Sequence, residues 1–436
     1  MQSDLQQRQS RQKQSPARMR EESDLSLEVV VLLIFGVFGL IYGLLLFKIY
    51  SGDLPYNPDG TFGLFLVVVS FQMITMGKTP FADLRRSWAL VVVGMGTAIL
   101  GITTCFIPGY FTKFVGTLVG IVLFAGGIAL FLQLCISERK GRMWIKIGGI
   151  LRHLTIACAL VYALTIISGL VTLVPGLRSD PRTAIVFMFY GMSFLYLSWC
   201  IWKVARTYAP EKPDDSASTI RSSDRADSQG RFGLFREASL PLSLAILILN
   251  GFLVTLLGLL LFPIGLGLLP FSPDGQFGLA LTIMAIGMMT LGDTPLGQYT
   301  RSWLMIIIGI VFVGLGVVSC IVPGVLTGMI QVLLGLLSIV SGAVFFVKRF
   351  LAKLHGTGTP PAAPIDVPPI VRRLAGTQMV LNSVTIAFGI SMLLPGLVPL
   401  FVVAPILVIN GALLFILASL LQKVANMQAS GEPQVT

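Results

Sequence analysis

The sequence predicts an all-α integral membrane protein of about twelve transmembrane helices, arranged as two tandem six-helix repeats in parallel orientation. Three observations predict it. Charge is scarce and apolar runs are long, one half of the chain repeats the other, and Lys and Arg fall on one side of every hairpin.

Of 436 residues, 55% are hydrophobic and only 12% charged, with a mean hydropathy of +0.86. A soluble domain carries roughly 25% charged residues. A spanning helix needs roughly 20 apolar residues, because the hydrocarbon core is about 30 Å thick. Such runs recur along the chain, for example from Val30 and from Ser87 to Ile107. Backbone amides find no water in lipid, so these runs are helices or a closed barrel, and continuous rather than alternating hydrophobicity excludes the barrel.

The repeat is read directly. Leu54–Gly109 aligns without a gap on Leu269–Gly324, an offset of 215, and 23 of the 56 positions are identical. The last third repeats at an offset of 220: Arg152 matches Arg372, and Lys203-Val204-Ala205 matches Lys423-Val424-Ala425. The organisation expected is a disordered cytoplasmic tail over 1–26, a first membrane repeat over 27–206, a flexible cytoplasmic linker over 207–239, a second repeat over 240–426 and a short cytoplasmic tail over 427–436. Residues 1–28 are too polar, and the run after them too long, for a cleavable signal.

In chain order, the first repeat's spans are expected at 28–49, 62–77, 87–107, 113–136, 153–174 and 183–204. The second repeat's fall at 243–263, 277–292, 302–322, 326–347, 373–394 and 399–421. In the first span Gly39 and Gly43, four apart, suit close helix packing. Between the first two spans stands Asn57-Pro58-Asp59-Gly60, matched by Ser272-Pro273-Asp274-Gly275. Pro, Asp and Gly in that order suit a type I turn, with Gly60 free to take positive φ and Asp59 placed to cap the helix that follows. A ligand or partner contact by Asp59 and Asp274 is the competing reading. Between the second and third spans, Thr79-Pro80 with Arg86 and Trp88 is matched by Thr294-Pro295 with Arg301 and Trp303. Thr before Pro reads as the cap and first residue of a short interfacial helix, and Arg and Trp as headgroup-level anchors. Pro-Gly pairs at 108–109, 175–176, 323–324 and 395–396 close the remaining outer turns.

The net charge is +11, and 27 of the 31 Lys and Arg residues fall in the tails, linker and loops on one side. Only Lys48, Lys113, Arg178 and Arg182 face the other. By the positive-inside rule both ends of the chain lie in the cytoplasm, and an even number of spans gives both repeats one orientation in the cell membrane. Topology, not nucleic-acid binding, accounts for the charge. The lipid bilayer is the expected partner, with anionic headgroups at the basic segment around Trp144 and other membrane proteins as further candidates.

The chemistry of catalysis is not visible. No Asp or Glu falls inside an assigned span. His153 and His355 have no carboxylate or Cys at metal-ligand spacing, and the five cysteines form no C-x-x-C. No catalytic residue, cofactor or metal site is expected. The seam between the repeats should be small and apolar, free of buried carboxylates. Amides at Asn250, Gln331, Asn382 and Asn410 should bond between helices.

Val93–Phe131 and Ile307–Phe346 show a hairpin of Gly-spaced apolar helices with Pro at the outer turn. This rhythm resembles that of the HdeD-like membrane proteins, six-span proteins linked to acid-stress resistance. The resemblance covers the rhythm of each half, not the P-D-G or R-S-W motifs or the double length. It implies a stress-related membrane role. The expected function is therefore non-enzymatic: structural, stress-related or partner-assembling. The alternative is transport of a neutral or amphipathic solute between the halves, since the six-plus-six layout resembles that of major-facilitator transporters.

Overall fold

A computed structural model describes residues 25–75, 88–136, 149–174, 176, 181–207, 242–291, 293–294, 297–298, 302–355, 369–394 and 398–429. Six helices come first: α1 (Leu27–Tyr50), α2 (Pro58–Thr75), α3 (Trp88–Phe106), α4 (Thr112–Ile136), α5 (Gly149–Leu173) and α6 (Arg182–Thr207). Six more follow: α7 (Leu242–Gly265), α8 (Pro273–Leu291), α9 (Trp303–Ile321), α10 (Thr327–His355), α11 (Pro369–Leu393) and α12 (Leu400–Ala429). A two-residue ladder, β1 (Asp293–Thr294) on β2 (Gly297–Gln298), follows α8.

Among the described residues nine helices are long and apolar enough to cross a bilayer. The other three are α2 and α3, whose apolar parts are shorter, and α8, which opens on the polar run Pro-Asp-Gly-Gln. Large apolar side chains cover the outside: Ile136 is 80% exposed and Phe350 65%. An apolar surface of that extent belongs against lipid or another protein.

Helices pair as neighbours. α1 packs on α6, α2 on α3, α4 on α5 and α5 on α6; among the later helices α7 packs on α12, α8 on α9, α10 on α11 and α11 on α12. Small residues permit the closest approach. A Cβ on Gly39 would lie 2.9 Å from Gly191 Cα, so α1 and α6 touch backbone to backbone. Gly43 continues that contact against α6, as its spacing predicts.

The first six helices meet the last six reciprocally. α1 touches α9 and α7 touches α3; α2 touches α9 and α8 touches α3; α2 touches α7 and α8 touches α1. Each of these helix contacts thus has its counterpart six helices on.

Two local expectations fail. Residues 58–60 and 273–275 are not turns; they form the first turn of α2 and α8. Asn57 supplies the cap, its Oδ1 accepting the Gly60 N–H at 3.1 Å, and the Ser272 hydroxyl accepts the Gly275 N–H at 3.3 Å. Pro58 and Pro273 then take the first helical position, where a missing N–H costs nothing. Gly60 is helical, without positive φ; Gly109 (φ +91°) and Gly324 (φ +85°) hold the left-handed turns. Second, Thr294 caps no helix. It pairs with Gly297 in the β1–β2 ladder.

Candidate functional site

The two P-D-G motifs come together at one end of the seam. Their glycines are its closest points. A Cβ on Gly60 would lie 2.1 Å from the Cys320 carbonyl oxygen, and one on Gly275 would lie 2.3 Å from that of Cys105. No side chain fits at either place, so α2 lies directly on the end of α9 and α8 on the end of α3. Backbone hydrogen bonds join the same elements: Asn57 N–H donates to Ile321 O at 2.9 Å, and Ser272 N–H to Phe106 O at 3.1 Å. Cys105 and Cys320, both 0% exposed, donate to the carbonyls of Gly60 at 3.5 Å and Gly275 at 3.7 Å.

Asp59 and Asp274 stand beside these glycines and are only 4% and 7% exposed. This corrects the expectation of a seam free of buried carboxylates. The helices begin four residues before the apolar runs do, which draws the acidic residue inside. Asp59 is not a cap for its own helix. Its Oδ2 accepts the Gly109 N–H at 2.8 Å and so braces the turn between α3 and α4. Among the described residues its Oδ1 has no hydrogen-bond partner. Asp274 braces the equivalent turn differently: Oδ1 accepts from the Thr327 hydroxyl, while its main-chain oxygen accepts from Ser319 at 3.1 Å. Sequence alone offered no signal for the part played by Cys105, Cys320, Ser319 or Thr327 beyond the recurrence of Cys at the shared offset.

A second feature is a cavity inside the first six helices. It is small, with about 30 Å³ of room among α1, α2, α4, α5 and α6. Six rings stand in its wall: Phe35, Phe38, Tyr42, Phe65, Phe187 and Tyr190. They interlock, with Tyr42 and Phe187 at 4.7 Å between centroids and Phe35 and Phe65 at 6.0 Å. The later helices have Asn250, Leu253, Leu257, Ala280, Leu407 and Asn410 at the matching positions, so no ring is kept.

The repeated R-S-W motif is reached only in part. Thr79, Pro80, Arg86, Pro295 and Arg301 lie outside the described residues. Trp88 begins α3 and Trp303 begins α9. The Ser302 hydroxyl caps α9, accepting the Met305 N–H at 3.4 Å. The Trp303 ring meets that of Trp202 edge-on at 6.2 Å, tying α6 to α9 at the end of the seam away from the P-D-G motifs. Nearby, Lys203 lies 4.9 Å over Trp199 and Arg206 4.9 Å over Trp202.

Of the polar groups in apolar runs, Gln331 does bond between helices, to Met392 O at 2.8 Å. Asn382 instead donates to Gln378 O of its own helix at 2.6 Å. His153 pairs with the Tyr196 hydroxyl at 2.8 Å. Among the described residues no group of three His, Cys, Asp or Glu could hold a metal ion.

Comparison with family models, with curated proteins and with solved structures returned no match.

Proposed function

We propose that this chain is a membrane scaffold: two tandem six-helix repeats, about twelve spans in all, clamped to each other at the P-D-G end and serving a structural, stress-related or partner-assembly role without catalysis. The reciprocal seam is the observation that carries the reading. Gly60 on the Cys320 carbonyl and Gly275 on the Cys105 carbonyl leave no slack for the halves to part there. A carrier that alternates access between two halves must open its seam at each end in turn. Backbone contact at the P-D-G end together with the Trp202–Trp303 contact at the other end holds the seam at both ends, which suits a fixed body better than a rocking one. The resemblance of each half to HdeD-like proteins supports a stress-related role. The Lys and Arg distribution supports both ends of the chain facing the cytoplasm, with the P-D-G motifs at the outer face. Lys203 and Arg206, held over tryptophans, suit contact with anionic headgroups on the inner side.

Spin labels test the reading. Tyr110 and Val325 occupy matching positions at the P-D-G end and are 65% and 56% exposed. With the exposed Cys135 replaced by Ser, cysteines at these two sites should give one narrow distance distribution in nanodiscs. It should not change across pH or on adding neutral solutes, and proteoliposomes should take up no more solute than empty vesicles. Two interconverting distances together with uptake would replace the scaffold with a carrier.

A further inference from the structure

We propose that the row of His153, Tyr196, Trp199 and Lys203, at the inner end of α5 and α6, binds the headgroup of a phospholipid with net negative charge. Its place in the inner leaflet rests on the orientation of the scaffold reading.

The row is linked from end to end. His153 Nδ1 and the Tyr196 hydroxyl lie 2.8 Å apart, which joins α5 to α6. The Tyr196 ring stacks on that of Trp199 at 6.1 Å and 19°. The Lys203 ammonium lies 4.9 Å over Trp199. A free lysine side chain loses rotamer entropy when it takes a partner; here the ring already holds the charge in place. His153, Trp199 and Lys203 are all exposed, so a ligand reaches them from outside.

Depth decides which anion is met. α6 has 26 residues, about 39 Å of helix, and the hydrocarbon core is about 30 Å thick. Lys203 stands one turn before the end of α6, near the edge of that core. Side chains on a helix lean toward its N-terminus, and in α6 that direction leads back into the membrane. Lys203 follows it onto Trp199 instead of reaching out to water. Among the described residues no carboxylate pairs with it. An ammonium held at that depth needs an anion, and the anion standing there is lipid phosphate. His153 adds a donor. An anion beside it selects the form in which Nδ1 accepts from Tyr196 and Nε2 carries the proton, ready to donate to a headgroup lying along the row.

The same face continues as a track for acyl chains. Toward the membrane centre it passes to Ile156 and Leu160 on α5 and to Met192 and Phe189 on α6, all exposed. A diacyl lipid covers that track, and a free phosphate makes no use of it.

The second half has no such row. Arg373, Ile416, Ser419 and Lys423 stand at the matching positions, 220 residues on. A cation stands at each end there too, as the inner side of a span requires, but the rings that fix the cation are absent. α11 packs on α12 without them, so helix pairing does not call for the rings, and one site per chain follows.

The test uses the full chain in detergent micelles, with bound lipids counted by native mass spectrometry. Dioleoylphosphatidylglycerol should fill one saturable site, and dioleoylphosphatidylcholine should bind it about fivefold more weakly. Lys203→Gln should weaken phosphatidylglycerol about fivefold to tenfold. Trp199→Leu, which frees the lysine, should weaken it about threefold or more. Lys423→Gln, which removes the matched lysine that has no ring, should change nothing. Glycerol phosphate at millimolar concentration should not displace the lipid. Equal affinity for the two lipids overturns the anionic class. No loss in Lys203→Gln, or equal losses in Lys203→Gln and Lys423→Gln, overturns the site. Displacement by glycerol phosphate overturns the lipid as occupant and leaves a free phosphate in its place. Lys203 and Lys423 are both exposed, so their variants keep the fold. Micelles have no sides, so loss of the site leaves the scaffold reading standing, and a reversed orientation found by labelling leaves the site standing in the other leaflet.

Discussion

At the scale of single residues, the seam depends on what Gly60, Gly275, Asp59 and Asp274 each do. Gly60 and Gly275 are constrained by a neighbouring carbonyl, not by their own backbone angles. Gly60→Ala should therefore cost about 1–3 kcal/mol, the usual penalty of overpacking, and Gly60→Val more. Thermal unfolding of the purified variants checks this; a Gly60→Ala protein as stable as the parent would mean the contact is looser than the geometry says. Asp59 holds the Gly109 N–H with one oxygen and leaves the other unpaired in a buried place. Asp59→Asn keeps the acceptor and removes a buried charge, so its melting temperature should stay near the parent's. Asp59→Ala removes the brace and should lose about 1 kcal/mol or more. If Asn and Ala are equally harmful, the negative charge itself matters and a cation or a protein partner meets it. The sequence showed that these residues recur. It did not show why, because a P-D-G run fits a turn as well as a helix start, and only the acceptors at Asn57 and Ser272 separate the two.

At the scale of elements, the helices were legible and their faces were not. Long apolar runs located all twelve, since a run of that length has no other stable form in lipid. Helices that are apolar almost all round carry little information about which side meets a neighbour. The pairing of α1 with α6 and α7 with α12 could not be read for that reason, nor the ring cluster, whose members are spread over α1, α2 and α6. The β1–β2 ladder was missed because Thr-Pro also opens helices. Among the capping residues passed over is Ser302, beside the more conspicuous Trp303. Ser302→Ala should cost about 1 kcal/mol by freeing the first turn of α9. Because α9 lies against both α1 and α2, that loss should appear as a lower melting temperature of the whole protein. A separate early transition would instead mark α9 as independent of the first half.

At the scale of the whole molecule, several contacts across the seam answer one another. Gly60 and Gly275, 215 positions apart, meet the carbonyls of Cys320 and Cys105, and the contact of α1 with α9 is matched by that of α7 with α3. The orientation that follows from Lys and Arg placement is open to labelling. Thr61 and Gln276 are unsuitable sites, being 2% and 4% exposed, so cysteines at Tyr110 and Val325 should be used in the Cys135→Ser background. Both should react with an impermeant maleimide from outside, and a cysteine at Ser218 only after the membrane is opened. Reaction of Tyr110 and Val325 sites from opposite sides would end the parallel arrangement. The seam itself is tested most directly by its own thiols, Cys105 and Cys320. A protease site is inserted at Ser218, the purified full chain is treated with a short thiol-bridging reagent, and the linker is then cut. The halves should remain covalently joined on a non-reducing gel, separate on reduction, and separate without reduction when either Cys105 or Cys320 is replaced by Ser. If a small maleimide modifies both thiols, yet the bridging reagent never joins the halves through them, the two P-D-G ends do not meet and the account is wrong.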